Sequence, residues 1–338
     1  MSRYVISLSP HEKGTYTVNT VMWGVVVALI PAFVSSVMNF GIRAVAVTAV
    51  ALISCILFEF LIQKFLMKCT VTAFDGSAAI TGILLAFNLP SSIPLWQVVV
   101  GSLVAIAVGK MAFGGLGKNP FNPALIGRGF MLMSFPVDMT TWPIPGKSIW
   151  IWDIASKVDS LTAATPLGIV KEGLAKGEEI SMLAAKTPEL WELFLGTVGG
   201  SLGETSALAI IIGGIYLIYK KIITWHIPFF YLATIFAFTG IAWLVKPDAF
   251  FDPVFHILSG GVMLGAFFMM TDMVTSPMSV KGQIVFAIGA GIICSAIRLF
   301  GAYPEGCMFS ILIMNAFVPL IDKYILPKKF GKEVNYVG

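Results

Sequence analysis

Gly76-Ser77-Ala78-Ala79-Ile80-Thr81-Gly82-Ile83-Leu84-Leu85-Ala86-Phe87-Asn88-Leu89 is apolar enough for a membrane and too short to cross one. At about 1.5 Å per residue it reaches roughly 20 Å, against a hydrocarbon core of about 30 Å. Pro90 and Pro94 then prevent its continuation as a regular helix. A second interruption follows at Thr271-Asp272-Met273-Val274-Thr275-Ser276-Pro277, and a third opens with Gly196, Gly199, Gly200 and Gly203 before Glu204. Helices that stop partway through a bilayer must line a cavity or be covered by protein.

The rest of the chain supplies the membrane body. Of 338 residues, 57% are hydrophobic and 12% charged, whereas soluble domains run near a quarter charged. Apolar runs at about 19–38, 42–66, 76–89, 94–114, 120–136, 193–219, 225–246, 254–271, 283–301 and 305–326 predict ten spans. The expected organisation is a tail at 1–18, a first membrane unit at 19–136, a polar loop at 137–192, a second membrane unit at 193–326 and a tail at 327–338. Met1 to Lys13 is polar, so no cleavable signal peptide is expected. The formal charge of +4 says less than its placement. With the N terminus inside, residues such as Lys13, Lys64, Lys68, Lys110, Lys118, Lys220 and Lys281 fall on the cytoplasmic side, and the short outer loops hold only Arg43, Lys246 and Arg298. That asymmetry predicts two cytoplasmic termini and an outer 137–192 loop, with Trp142, Trp150 and Trp152 at its membrane surface.

The two membrane units resemble each other. Gly82 precedes Pro94 as Gly265 precedes Pro277; Lys110 leads to Phe113-Gly114 as Arg298 leads to Phe300-Gly301; Phe121 and Phe309 follow in the final segments. Five spans per unit is an odd number, so the second unit runs inverted. The predicted fold is all-α and integral to the membrane, with about ten transmembrane helices in two inverted five-helix repeats and discontinuous helices.

Ionisable residues inside such a body are functional candidates. Asp75, ahead of Gly76-Ser77, reads either as an N-cap or as part of an ion path. Glu59 near Lys64 reads as a snorkelling pair at the inner interface. Asp272, among Thr271, Thr275 and Ser276, suits a small cation or the polar edge of a ring ligand, and Glu204 follows glycines that permit close approach to the backbone. Glu305 is a further candidate, and Arg128 would hold a phosphate or carboxylate or pair with a neighbouring helix. Gly114 to Ala124 lacks the ending of a P-loop. Cys55, Cys69, Cys294 and Cys307 read as packing residues. His226 and His256 flank opposite ends of one span, which argues against a haem between them. No nucleic-acid partner is expected. In the polar loop, Thr165-Pro166 reads as a helix start, or Thr165 carries a covalent group through its hydroxyl.

Over nearly its whole length the chain resembles the NqrB/RnfD family of ion-translocating oxidoreductase subunits. The resemblance is carried by Gly117-Lys118-Asn119-Pro120-Phe121-Asn122-Pro123-Ala124, Asp159 to Leu167, Gly200-Ser201-Leu202-Gly203-Glu204-Thr205-Ser206 and Thr271 to Pro277. The family's flavinylation signal is Asp, two variable residues, Ser or Thr, Gly, Ala and the modified Thr. Asp159, Thr162, Ala164 and Thr165 match it, and Ala163 stands where Gly is usual. The resemblance implies FMN joined through its phosphate to Thr165, attached by a flavin transferase outside the cytoplasm. A flavin environment at Gly200, Glu204, Thr271, Asp272 and Thr275 is expected, as is an ion path through Asp272, Glu204 or Asp75. A second, non-covalent flavin (riboflavin) is implied by the relative NqrB. The implied partners are the other subunits of an Rnf-type complex, including a flavin-bearing subunit on the outer face, and the location is a bacterial inner membrane. The implied activity is electron transfer between ferredoxin and NAD with translocation of Na⁺ or H⁺. A channel or secondary transporter without a redox cofactor would account for the repeat and the broken helices but not for the Asp159–Thr165 signal, and in a scaffold subunit of a membrane complex the loop would be only a capped helix.

Overall fold

The computed structural model describes residues 17–143, 145, 164–247 and 249–325. Helices α1 (Val18–Phe40), α2 (Ile42–Leu61, extended by a π turn at Ile62–Leu66), α3 (Ser77–Phe87), α4 (Leu95–Ala107) and α5 (Pro123–Ser134) form the first unit. Among the described residues, four short helices follow: α6 (Pro136–Thr140), α7 (Pro166–Ala175), α8 (Ile180–Lys186) and α9 (Leu190–Leu195). The second unit comprises α10 (Ala207–Tyr219), α11 (His226–Val245), α12 (Pro253–Leu258), α13 (Val262–Leu264) with a π turn at Gly265–Met269, α14 (Val280–Phe300) and α15 (Cys307–Tyr324). Many helix starts are set by local chemistry. Asn122 accepts from Ala124 N with Pro123 at the first helical position, Ser206 accepts from Ala209 N, and Ser279 accepts from Gly282 N.

Among the described residues, six helices are long and apolar enough to cross a membrane: Val18–Phe40, Ile42–Leu66, Leu95–Phe113, His226–Val245, Val280–Phe300 and Cys307–Tyr324. The other four expected spans contain shorter pieces. Helix α3 ends at Phe87, as its length and prolines predict. The expected span 193–219 is divided between α9 and α10 by a non-helical segment at 196–206. The expected span 254–271 breaks earlier than the sequence suggests, at Ser259-Gly260-Gly261, and the π turn ends at Met269 before Thr271.

Packing order repeats between the units. Helix α2 lies against α3 and α4 as α11 lies against α12 and α14, and α4 packs on α5 as α14 packs on α15. The halves meet through α1 on α10 and α5 on α15. Gly213 permits the first of these contacts, since a Cβ there would overlap the Ala28 carbonyl oxygen.

Several charges lie elsewhere than the sequence suggests. Glu59 does not pair with Lys64; it is fully buried and bonds Lys110 Nζ at 2.6 Å. Lys64 instead lies 5.2 Å from the Phe60 ring centroid. Lys110, expected among cytoplasmic charges, is 1% exposed, and its ammonium also donates to Ser77 Oγ at 2.6 Å. Arg43 and Arg298, expected in short outer loops, are buried within the ends of α2 and α14. An arginine or lysine near a span boundary meets water, an internal carboxylate or a backbone carbonyl, as Arg43 meets Ser92 O at 3.2 Å, and hydropathy alone does not distinguish them.

Breaking a buried ion pair strands a charge, typically at about 3–5 kcal/mol, whereas replacing both partners with apolar residues is often neutral. Lys110→Met is therefore expected to lower the melting temperature of the detergent-purified protein sharply, and Glu59→Leu/Lys110→Met to recover most of the loss. A double variant as unstable as the single one would show that the pair does more than neutralise itself.

Candidate functional site

The broken end of α3 is the starting point. A helix that stops leaves its last carbonyls without intrahelical partners. Here the segment 196–206 supplies them: Leu202 N donates to Leu89 O at 3.1 Å and Gly203 N to Phe87 O at 2.9 Å. The approach depends on a missing side chain, because a Cβ on Gly203 would overlap the Phe87 ring. The same contact delivers Glu204 to Arg128 of α5, whose Nη1 meets Glu204 Oε1 at 2.9 Å. Arg128 also donates to Asn88 Oδ1, and Asn88 in turn donates to Leu84 O at 2.6 Å.

An equivalent arrangement closes the break between α12 and α13. Arg298 donates to the carbonyls of His256 and, at 3.0 Å, Ser259. Glu305 Oε1 accepts from Gly261 N and lies 3.7 Å from Arg298 Nη2, while its Oε2 lies 3.1 Å from Arg128 Nη2. The two breaks are thus joined by one cluster of two arginines and two glutamates. The expectation for Arg128 resolves as helix pairing, with a carboxylate on each side.

Over this cluster lies a cavity of about 310 Å³. Arg128, Glu204 and Glu305 face it from below, Gly199-Gly200-Ser201 form one wall, and Leu132, Met139, Leu258 and Phe309 are among its apolar boundaries. Ala164 and Thr165 line it too. Thr165 Oγ1 accepts from Gly168 N at 3.1 Å with Pro166 at the first position of α7, so the capping geometry read from the sequence is present. Helix α7 is anchored by Leu167 and Val170, which pack with Leu183, Leu193 and Phe255. Lys171 adds a tether, donating to Arg298 O at 3.2 Å; partial burial draws its ammonium below the ordinary lysine range. Asp159, Thr162, Ala163, Trp150 and Trp152 lie outside the described residues.

The remaining candidates lie elsewhere. Thr271 and Asp272 line a smaller chamber of about 70 Å³ with Ser77, Lys110, Asn119 and Asn122. Asp272 Oδ2 accepts from Thr275 Oγ1 at 3.1 Å, and Thr275 is buried beside the chamber residues without lining it. Gly76, not Asp75, is the N-cap of α3; Asp75 Oδ1, one residue earlier, accepts from Ser77 N at 2.8 Å and from Ser77 Oγ, and so reaches Lys110 through Ser77. One flavin environment containing Gly200, Glu204, Thr271, Asp272 and Thr275 is therefore two places. Pro123 of α5 borders the chamber and Arg128 of α5 borders the cavity, which separates them by roughly 8 Å of helix. Asn88, Lys110 and Arg298 were missed as site residues; the rule that intramembrane polar groups need partners was the available signal for each.

Such a body, with discontinuous helices ending at a buried charge cluster under a pocket, is a polytopic membrane protein built around an internal site. The chain matches the NQR2, RnfD, RnfE family over residues 5–331 and belongs to it. It is 47% identical over 333 residues to the D subunit of the proton-translocating ferredoxin:NAD(+) oxidoreductase complex of Clostridium ljungdahlii, covering 97% of this chain and 96% of that one. It is equally 47% identical over 329 residues to the D subunit of the Na(+)-translocating ferredoxin:NAD(+) oxidoreductase complex of Acetobacterium woodii, with 96% and 95% covered. The D subunit of the ion-translocating oxidoreductase complex of Stutzerimonas stutzeri is 38% identical over 329 residues, with 94% and 93% covered. Two relatives at the same identity are named for different ions, so overall similarity does not select the ion.

Overpacking a tight contact typically costs about 1–3 kcal/mol. Gly203→Val is expected to lower the melting temperature by several degrees and Gly200→Ala to leave it near wild type, since the nearest atom to a Cβ at Gly200 is 3.5 Å away. Equal melting temperatures would remove the Gly203–Phe87 contact from the account of how Glu204 is held.

Proposed function

We propose that this chain is the D subunit of an ion-translocating ferredoxin:NAD oxidoreductase complex in a bacterial inner membrane, with both termini cytoplasmic and the 137–192 loop on the outer side. It carries FMN as a phosphoester on Thr165 and passes electrons across the membrane, coupled to movement of Na⁺ or H⁺. The observation that carries this reading is the position of the Thr165 hydroxyl, at the start of α7 and on the lining of the Arg128–Glu204–Glu305 cavity. The residues fit the group. The first turn of α7 offers backbone N–H groups and a favourable dipole to a phosphoryl on Thr165. Apolar walls suit the faces of a flavin ring, and Arg128 has donors for its polar edge. FMN supplies electron transfer when bound; the protein holds it, excludes water around it and fixes the charges beneath it. A flavin-bearing subunit on the outer face is the expected neighbour, and a flavin transferase the maturation partner. The Asp272 chamber is the second candidate region, for the translocated ion or for the polar edge of a non-covalent flavin.

Covalent flavin survives denaturation, so the protein co-expressed with its flavin transferase is expected to fluoresce in a denaturing gel. Mass spectrometry of the Thr165 peptide should show one added FMN-phosphoryl group. Thr165→Val is expected to be dark. Thr165→Asn keeps a capping oxygen while removing the hydroxyl, and is expected to be dark yet stably folded. Fluorescence retained in Thr165→Asn would place the flavin elsewhere.

Asp272→Asn is expected to retain the covalent flavin while impairing ion-coupled turnover of the assembled complex in proteoliposomes. Full coupling in that variant would remove Asp272 from the ion path.

A further inference from the structure

Three of the four charges in the buried cluster face the cavity. Arg298 does not line it and is committed to the carbonyls of His256 and Ser259, whereas Arg128, Glu204 and Glu305 all do. Arg128 uses three N–H bonds on Asn88, Glu204 and Glu305, out of the five a guanidinium carries, and still reaches the cavity surface. Asn88 fixes it from behind through the end of α3. The result is a positive and a negative charge side by side, immobilised in a site where water does not screen them as it would at a surface.

We infer that Arg128 and Glu204 act as an opposed pair of tuning residues that sets the reduction potential of the redox group in this cavity. The inference rests on the Thr165 reading above and adds to it which residues govern the electron affinity of the bound ring. Electrons arriving on a ring not fully matched by protons leave negative charge there. A fixed cation beneath the ring favours that state, and a fixed carboxylate opposes it. Removing Arg128 leaves Glu204 and Glu305 facing the cavity with Arg298 behind them; removing the Glu204 charge leaves Arg128 less compensated. The two changes therefore act with opposite sign.

The test is a spectroelectrochemical titration of the covalent flavin in the purified, assembled complex. Arg128→Gln is expected to shift the equilibrium at least tenfold toward the oxidised form, about 30 mV lower for a two-electron couple. Glu204→Gln is expected to shift it by a similar factor in the opposite direction, and Arg128→Gln/Glu204→Gln to lie between them. Arg128→Lys keeps the charge and is expected to stay near wild type. Should Arg128→Gln fail to assemble, the sign of the Glu204→Gln shift decides. An unmoved potential in Glu204→Gln, or a shift of both variants in one direction, would overturn the inference while leaving the attachment site intact. A wild-type complex without covalent flavin would instead overturn the attachment reading and this inference with it.

Discussion

Inside a bilayer the carbonyls of Phe87 and Leu89 have no water to turn to, and each unsatisfied group there costs several kcal/mol. The N–H groups of Gly203 and Leu202 answer them at 2.9 and 3.1 Å. Much of the site follows from that exchange. A half-length helix is stable only if another segment enters to complete it, and the segment that enters here carries Glu204 with it. The glutamate then needs a cation, which α5 provides as Arg128, and Arg128 reaches Glu305 at the start of the last helix. A requirement of backbone hydrogen bonding is thereby converted into a charged centre shared by both repeats.

Charge balance shapes the rest. The Glu59–Lys110 pair contains one charge of each sign, and the Arg128, Arg298, Glu204 and Glu305 cluster contains two of each. An isolated charge in a low-dielectric interior is costly, so these two sets are each balanced, whereas buried Arg43 relies on the Ser92 carbonyl at 3.2 Å. Stability alone would be served as well by apolar residues of similar size. On the proposed reading, four charges beneath the cavity are better explained by what it would hold than by the fold.

The sequence made part of this legible. The shortness of Gly76–Leu89 and its following prolines announced a broken helix, the glycine run at 196–203 announced close backbone approach, and the Thr165-Pro166 cap formed where local chemistry placed it. These readings depend on neighbours a few residues apart. The partners of each feature were not legible, because they are distant along the chain: Lys110 and Glu59 are separated by 51 residues, Arg128 and Glu204 by 76, and Arg128 and Glu305 by 177. Hydropathy also misassigned Lys110, Arg43 and Arg298, since a charge near the end of an apolar run looks the same whether it meets water or a buried acceptor. The grouping of Gly200 and Glu204 with Thr271 and Asp272 failed for a related reason. All four lie at helix interruptions, but one interruption borders the chamber at the first turn of α5 and the other meets Arg128 in its middle.

That helix connects the cavity to the chamber. Its first turn is capped by Asn122, whose amide also donates to Met269 O at 3.2 Å, next to Thr271 and Asp272. Its middle carries Arg128, bound to both glutamates. A helix is stiff along its axis, so a displacement that repositions Arg128 is felt at Asn122. On the proposed reading, an added electron disturbs a balanced set of charges around Arg128, and the disturbance can do work on an ion only if the ion binds better to one of the resulting arrangements than to the other. The chamber beside Asn122 has the groups for such a difference: a carboxylate on Asp272, a carboxamide on Asn119 and the ammonium of Lys110 already held by Glu59. The Lys110 ammonium, held by Glu59, would oppose a cation approaching Asp272, and the Asn122–Met269 bond is the contact through which a shift of α5 would reach that region.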